Sequence, residues 1–338
     1  MNRNSDDTDY ERLAAELLRA LRGKRSRPGF SRYLGFRSNV VQRWETRECW
    51  PTAARFFEIC SRLRIDVKAS VAEFLRQEPA WLRGADFGSA SGVAALLSEL
   101  RGRARLADIA RGAGYNRYSV ARWFNGAAVP KLPEFLRVIG VASRRALDFV
   151  AAFVDPALLA SVAKRWKRLA LSRELAYAHP LSHAVLRALE LDQDRAGSSD
   201  ERYLSRKLGI GVEQVKTALE LLAETGQVRH TASGWTTRRA GVVDTGADPK
   251  RSRALKLSWT TAAVERLREG APGYCGYGLF AVSKSDLKRL LEIQLAYIRE
   301  MQMVIAASRP AECVGLYCAQ LLDLSVAEDN ALRLDTSP

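Results

Sequence analysis

The sequence predicts a mainly α protein: two tandem five-helix bundles followed by an α+β region. Three observations predict it. One stretch of about eleven residues occurs twice, apolar residues recur at helical spacing through residues 9 to 155, and short β-prone runs appear beyond residue 226.

The repeated stretch runs from Leu34-Gly35-Phe36-Arg37-Ser38-Asn39 to Arg43-Trp44, and again from Ala113-Gly114-Tyr115-Asn116-Arg117-Tyr118 to Arg122-Trp123, at an offset of 79 residues. The same offset relates Leu21-Arg22-Gly23 to Leu100-Arg101-Gly102, Pro51 to Pro130, Phe56 to Phe135 and Phe74 to Phe153. Agreement at one fixed offset over about sixty residues identifies an internal duplication.

Composition bounds the function. A chain of 338 residues exceeds one typical domain, and 47% hydrophobic residues exclude wholesale disorder. No apolar run is long enough to span a membrane, and residues 1 to 7 have no apolar signal core, so a cytoplasmic protein is expected. Cys49, Cys60, Cys275, Cys313 and Cys318 form no C-x-x-C pair, which argues against a disulfide frame or zinc knuckle and for reduced, partly buried thiols. The net charge is +15, and residues 1 to 155 hold 27 Lys plus Arg against 17 Asp plus Glu. Basicity concentrated on the repeats points to a polyanionic partner, most simply nucleic acid.

In the first copy, Tyr10, Leu13, Ala14, Leu17, Leu18 and Leu21 share one helical face and Gly23 stops the helix. Pro28 suits the first turn of a short second helix that closes at Leu34-Gly35. A third helix is expected from about Ser38 to Arg47, anchored by Val41 and Trp44. A fourth carries Phe56, Ile59, Cys60 and Leu63, and a fifth Val71, Phe74 and Leu75. The second copy repeats the plan, with Leu106 to Ala113, a turn at Gly114 and a helix capped by Asn116 that ends at Asn125-Gly126. The Gly-, Ser- and Pro-rich stretch between the copies reads as a linker.

On these residues both copies resemble the phage-repressor-type helix-turn-helix. Its signature is a small residue in the second helix (Ser31, Ala110), a turn glycine (Gly35, Gly114), an apolar residue after it (Phe36, Tyr115) and a late Arg-Trp pair (Arg43-Trp44, Arg122-Trp123). The small residue allows close helix crossing, and the tryptophan packs beneath the third helix. The first copy departs from the pattern at Pro28-Gly29, which shortens its second helix. The resemblance implies that the start of each third helix enters the major groove. The DNA-binding residues are then Arg37, Ser38, Asn39, Gln42 and Arg43, with Asn116, Arg117, Tyr118, Ser119 and Arg122. Asn and Gln suit adenine and Arg suits guanine, while Ser, Tyr and peripheral Arg more often hold phosphates.

Beyond residue 156 the order is an amphipathic segment from Leu158 to Leu175, a break at His179-Pro180, and a helix from Ser182 to Leu191. The loop Gly197-Ser198-Ser199 follows, then helices from Asp200 to Leu208 and Val212 to Thr225, and two short strands joined by Ser233-Gly234. Helix, turn, helix and two strands read as a winged helix. Its second helix exposes Glu213, Gln214, Lys216, Thr217 and Glu220, a nearly neutral face, which favours a structural or dimerising role; Arg229, His230, Arg238 and Arg239 give the expected wing some positive charge. A polar loop from Asp244 to Arg253, a helix from Ala262 to Glu269, a strand-like run 277–282, a long helix from Ser285 to about Ser308 and a second strand-like run 313–322 complete the chain, the two runs being expected to pair.

This half is similar to the C-terminal domain of a little-characterised family of predicted bacterial regulators, which join a phage-repressor-type helix-turn-helix to a winged-helix-containing domain of unknown function. The matching features are Leu208-Gly209, Val215 to Leu222, Gly234-Trp235, Phe280-Ala281-Val282-Ser283 and Tyr317 to Ser325. A tandem copy in front is not expected of every member.

Catalytic chemistry finds little support. His179 and His183 straddle Pro180 without a Cys or carboxylate beside them, and the Gly273 to Gly278 run lacks the Lys-Ser/Thr of a phosphate loop. No catalytic residue, metal or cofactor is expected. The expected domains are 1–78 and 93–155, two helix-turn-helix bundles joined by the linker 79–92, then 156–240, a winged-helix-like domain, and 241–338, an α+β dimerisation or sensor region. The expected function is a sequence-specific, double-stranded DNA-binding transcriptional regulator without enzymatic activity, its two modules on adjacent major-groove faces ~34 Å apart, on a longer site that need not be palindromic. The C-terminal half would form a homodimer, or take a small ligand or peptide on the apolar long helix. The alternative is a protein-interaction adaptor or antitoxin-like subunit that keeps the helix-turn-helix fold as a scaffold.

Overall fold

Short side chains at loop–helix junctions mark the helix starts. Asp9 accepts a hydrogen bond from Arg12 N at 2.9 Å and opens α1 (Tyr10–Arg22), and Ser26 accepts from Gly29 N at 3.1 Å to open α2 (Arg27–Tyr33). After α3 (Val40–Glu45), Thr52 caps α4 (Ala53–Arg62) and Asp66 caps α5 (Val67–Leu75). The computed structural model describes residues 8–102, 104–191, 200–232, 234–237, 243–308 and 310–325. The expected Gly197-Ser198-Ser199 loop, Ser233 of the turn, and Arg238 and Arg239 of the expected wing lie outside the described residues.

A short α6 (Ala80–Gly84) leads to α7 (Ala90–Arg101), α8 (Leu106–Ala113), α9 (Arg117–Phe124), α10 (Leu132–Ser143) and α11 (Ala146–Ala151). Adding 79 to the bounds of α1 to α5 gives those of α7 to α11 to within three residues. Gly35 and Gly114 occupy equivalent turns with φ of 85° and 72°, the left-handed region where a Cβ is strained.

The two copies share one core. One apolar cluster runs from Tyr10 to Val162, and residues up to Lys167 form one compact unit. The stretch 79–92, expected as a linker, buries Leu82 and Phe87 in that core, so its glycines and serines connect packed anchors. At the centre, Phe149 lies 5.1 Å from Phe153, 5.3 Å from Phe74 and 5.5 Å from Phe135, joining rings from both copies. Burial of each such ring contributes roughly 1.5 to 3 kcal/mol. Helices of the two copies meet across the junction: the equivalents α4 with α10 and α5 with α11, and the exchanged pair α1 on α10 and α7 on α4. Between them Ala53 N donates to Pro130 O and Leu132 N to Pro51 O, both at 2.9 Å, pairing Thr52 with Lys131 in an isolated antiparallel bridge.

The second compact unit begins at Arg168. Helix α12 (Ala163–Ala178) runs into it, followed by α13 (Pro180–Glu190), α14 (Glu201–Leu208), α15 (Val212–Glu224), strands β1 (Val228–Thr231) and β2 (Gly234–Thr237), α16 (Pro249–Arg268) and α17 (Lys284–Ala307). The strands form an antiparallel hairpin with Val228 opposite Thr237 and Thr231 opposite Gly234. Leu186, Leu204, Val215, Leu219, Leu222 and Val228 make its core. Arg173 donates to Asp244 O at 2.9 Å and Tyr177 to Thr245 O at 2.6 Å, which ties α12 to the segment before α16.

Two expectations in this unit fail. The polar stretch from Asp244 is a loop only to Asp248, which accepts from Arg251 N at 3.0 Å while Pro249 takes the first helical position. A cap followed by proline is a helix start, and it moves α16 thirteen residues upstream of the expected Ala262. The runs 277–282 and 313–322 pair in no sheet; they form no helix or strand and are largely exposed, and among the described residues β1 and β2 form the one sheet. The protein is mainly helical with a small two-stranded antiparallel sheet. No helix among the described residues is long and apolar enough to cross a membrane.

Candidate nucleic-acid interface

The two Arg-Trp stretches are built alike from the inside. Trp44 and Trp123 are buried, each meeting the aromatic ring after the turn glycine edge-on: Phe36 with Trp44 at 5.6 Å and Tyr115 with Trp123 at 5.2 Å. Val41 and Val120 are buried beside them. These anchors leave the opposite face of α3 and of α9 to polar side chains.

On the first copy Arg37, Ser38, Gln42 and Arg43 are exposed and Asn39 is half-buried. The helix expected from about Ser38 begins only at Val40, so Arg37, Ser38 and Asn39 lie in the turn before it. In the second copy the helix starts at Arg117 because Asn116 accepts from Ser119 N at 2.7 Å. The position equivalent to Asn116 is Arg37, which has no oxygen to accept that bond. Capping passes instead to buried Ser31 on α2, whose hydroxyl accepts from Val41 N at 3.2 Å and donates to Asn39 Oδ1 at 3.3 Å. Asn39 Nδ2 in turn donates to Gln42 Oε1 at 2.8 Å. The two amides expected to meet base edges therefore orient each other.

On the second copy Asn116, Arg117, Tyr118 and Arg122 are exposed and Ser119 is half-buried, with Tyr118 72% exposed. The Arg122 guanidinium lies 5.9 Å from the Tyr118 ring centre and donates to Ala127 O at 3.4 Å. Arg43, its counterpart, faces Glu48 at 3.8 Å in a loose exposed pair. Arg37 and Arg117 make no ion pair among the described residues. Eight of the ten expected residues thus lie at or just before two equivalent helix starts, with Arg43 and Arg122 in the last turns, although Asn116 spends its carbonyl oxygen on the helix cap.

The sequence reading missed what fixes the first of these helices. Glu45 ends α3 with its side chain fully buried, and its carboxylate accepts from Arg22 at 2.6 Å and Arg27 at 2.8 Å, with Arg19 at 3.6 Å. Burial alone would raise the carboxyl pKa, but the hydrogen bonds and charges of Arg22 and Arg27 outweigh it, and the value is lowered. The counterparts in the second copy are Phe124 and Arg101, and the Arg101 guanidinium lies 5.6 Å from the Phe124 ring centre. An acid in one copy at a ring position of the other was the available signal. A second missed feature is Arg47, which follows α3 with φ 67° where the other copy has Gly126 at 75°.

In the second unit Glu213, Gln214, Lys216, Thr217 and Glu220 are exposed along α15, as expected of its outer face. Trp235 Nε1 donates to Glu201 at 2.8 Å and His230 packs edge-on to Trp235 at 4.9 Å, so both rings brace the hairpin. Cys60 is buried, Cys49 and Cys318 are half-buried, and Cys275 and Cys313 are exposed, contrary to the expected partial burial of these two.

Among the described residues no group of three His, Cys, Asp or Glu is placed to hold a metal ion. No curated protein and no solved structure matches this chain. Residues 163–321 match the family described as Domain of unknown function (DUF4423), a match that begins after the repeated segments and covers most of the second unit.

Proposed function

We propose that this protein is a sequence-specific, double-stranded DNA-binding transcriptional regulator of the phage-repressor helix-turn-helix type. The observation that carries the reading is the pair of equivalent polar helix faces, each held from beneath by a buried Arg-Trp tryptophan and each fed by a positive-φ glycine turn. Arg43 and Arg122 are the side chains suited to guanine, and Asn39 with Gln42 to adenine. Arg37, in the turn before α3, is suited to a phosphate, and Arg117, which opens α9, to a guanine edge in the second half-site.

The second unit is proposed to carry a winged helix in α14, α15, β1 and β2, used for structure or dimerisation in preference to base reading, because α15 offers an almost neutral face. Tyr277, Leu279 and Phe280, together with Ile293 and Tyr297 of α17, are exposed apolar side chains that favour a dimerisation or sensing role for residues 241–338.

Salt dependence tests the DNA reading against the adaptor reading. In a titration of labelled duplex, binding that neutralises six or more phosphates weakens ~10³-fold or more between 50 and 200 mM salt. A protein-interaction scaffold would show no duplex binding that responds in this way.

A further inference from the structure

We infer that the two repeats form a two-fold-related pair within one chain, so that a single molecule reads an inverted pair of non-identical half-sites. This rests on the DNA-binding reading above and adds to it the orientation and composition of the site.

The backbone bridge between the copies carries the symmetry. Thr52 pairs with Lys131, its own counterpart at the offset of 79, and the two hydrogen bonds exchange under the same operation: Ala53 N to Pro130 O becomes Leu132 N to Pro51 O. Antiparallel pairing of a segment with its own equivalent, residue on residue, is the mark of an isologous two-fold contact. A head-to-tail arrangement would join different surfaces of the two copies. The helix packing obeys the same operation. Contacts of α4 with α10 and of α5 with α11 map onto themselves, and α1 on α10 maps onto α7 on α4. The bridge and the helix contacts between the copies therefore agree on one dyad, and it passes between Thr52 and Lys131, just before α4 and α10.

A two-fold axis reverses the direction of one reading helix relative to the other. Both can engage one duplex in equivalent ways only if the protein dyad falls on a dyad of the duplex, which places the half-sites in opposite orientation. The sequence expectation is only a longer site that need not be palindromic. The half-sites differ because the reading sets differ: Ser38, Asn39 and Gln42 in the first copy stand opposite Arg117, Tyr118 and Ala121 in the second, and only Arg43 and Arg122 are shared. Such a chain has in one molecule what a homodimer has in two, with freedom to read two different words.

The experiment is selection of bound fragments from random duplex DNA with the full-length protein and with the variant R117S/Y118N/A121Q, which gives the second copy the first copy's reading side chains at exposed or half-buried positions. The expected wild-type site has two unequal halves. Gln42→Ala with Arg43→Ala should erase base preference in one half and Arg117→Ala with Arg122→Ala in the other, each weakening binding about tenfold or more. The expected site of the triple variant is an inverted repeat of one word. A direct repeat from that variant, a perfect palindrome from the wild type, or a single short half-site would each overturn the inference while leaving DNA reading intact. No enrichment from the wild type would overturn the DNA reading itself.

Discussion

Removing the Glu45 carboxylate tests whether the end of the first reading helix is fixed by charge. Glu45→Gln keeps the shape and removes the charge facing Arg22, Arg27 and Arg19. Arg27 and Arg19 have side chains 41% and 54% exposed and recover much of their loss from water, whereas Arg22 is only 16% exposed. Breaking a buried pair by removing one partner costs ~3 to 5 kcal/mol, so with one well-buried arginine the lower end applies, about 3 kcal/mol. Glu45→Phe should be milder than Glu45→Ala, because Arg22 can then lie on the ring as Arg101 lies on Phe124. Urea unfolding measures the cost, and hydrogen exchange at the α1 and α3 amides localises it. Since the folded carboxyl pKa is lowered, this stabilisation is complete above the unfolded value of 4.5 and is lost as pH falls through the folded one. A loss below about 0.5 kcal/mol for Glu45→Gln, the size typical of an exposed pair, would refute the reasoning.

Other perturbations give equally definite outcomes. Ser31→Ala removes the side-chain cap of α3 and should cost about 1 kcal/mol, while adding Arg37→Asn, which transplants the Asn116 cap, should recover most of it; unfolding midpoints of the single and double variants decide. A Cβ on Gly140 would lie 2.1 Å from Tyr10 Oη, so Gly140→Ala should destabilise the first unit by roughly 1 to 3 kcal/mol, although helix propensity alone favours alanine by about 1 kcal/mol. A stabilised variant in thermal melts would contradict that packing. Burial, with Arg187 beside it, holds His183 at about 4, below its ordinary 6.5, so it is neutral in the folded protein. Between these values the unfolded chain binds the extra proton, so stability falls as pH drops through the window, by about 3 kcal/mol. In urea titrations from pH 7 to 4, His183→Gln should flatten this acid limb.

Much of the first unit was legible because its signals are local and doubled. Gly35 and Gly114, the Arg-Trp pairs and the cap at Asn116 each need only a few neighbouring residues, and the offset of 79 let one copy check the other. What escaped depends on distant partners. Leu82 and Phe87 lie in a stretch whose composition reads as linker, yet both are buried. Glu45 reads as a solvated acid until α1 and α2 bring three arginines to it. The late start of α3 follows from Arg37 standing where Asn116 caps the other copy, a substitution visible in the sequence but without meaning until Ser31 is seen to replace it. In the second unit the runs 277–282 and 313–322 have β-forming composition, and composition cannot supply a partner edge.

The central claim is that duplex DNA is read by sequence through α3 and α9. Its most direct measurement is the affinity for the selected duplex against a scrambled duplex of the same length and composition, by fluorescence anisotropy at fixed physiological salt. Binding to the selected duplex should be ~10³-fold or more tighter, with the preference falling steeply in Arg43→Ala and Arg122→Ala. Equal affinity for the two duplexes, or an unchanged preference in both variants, would contradict it.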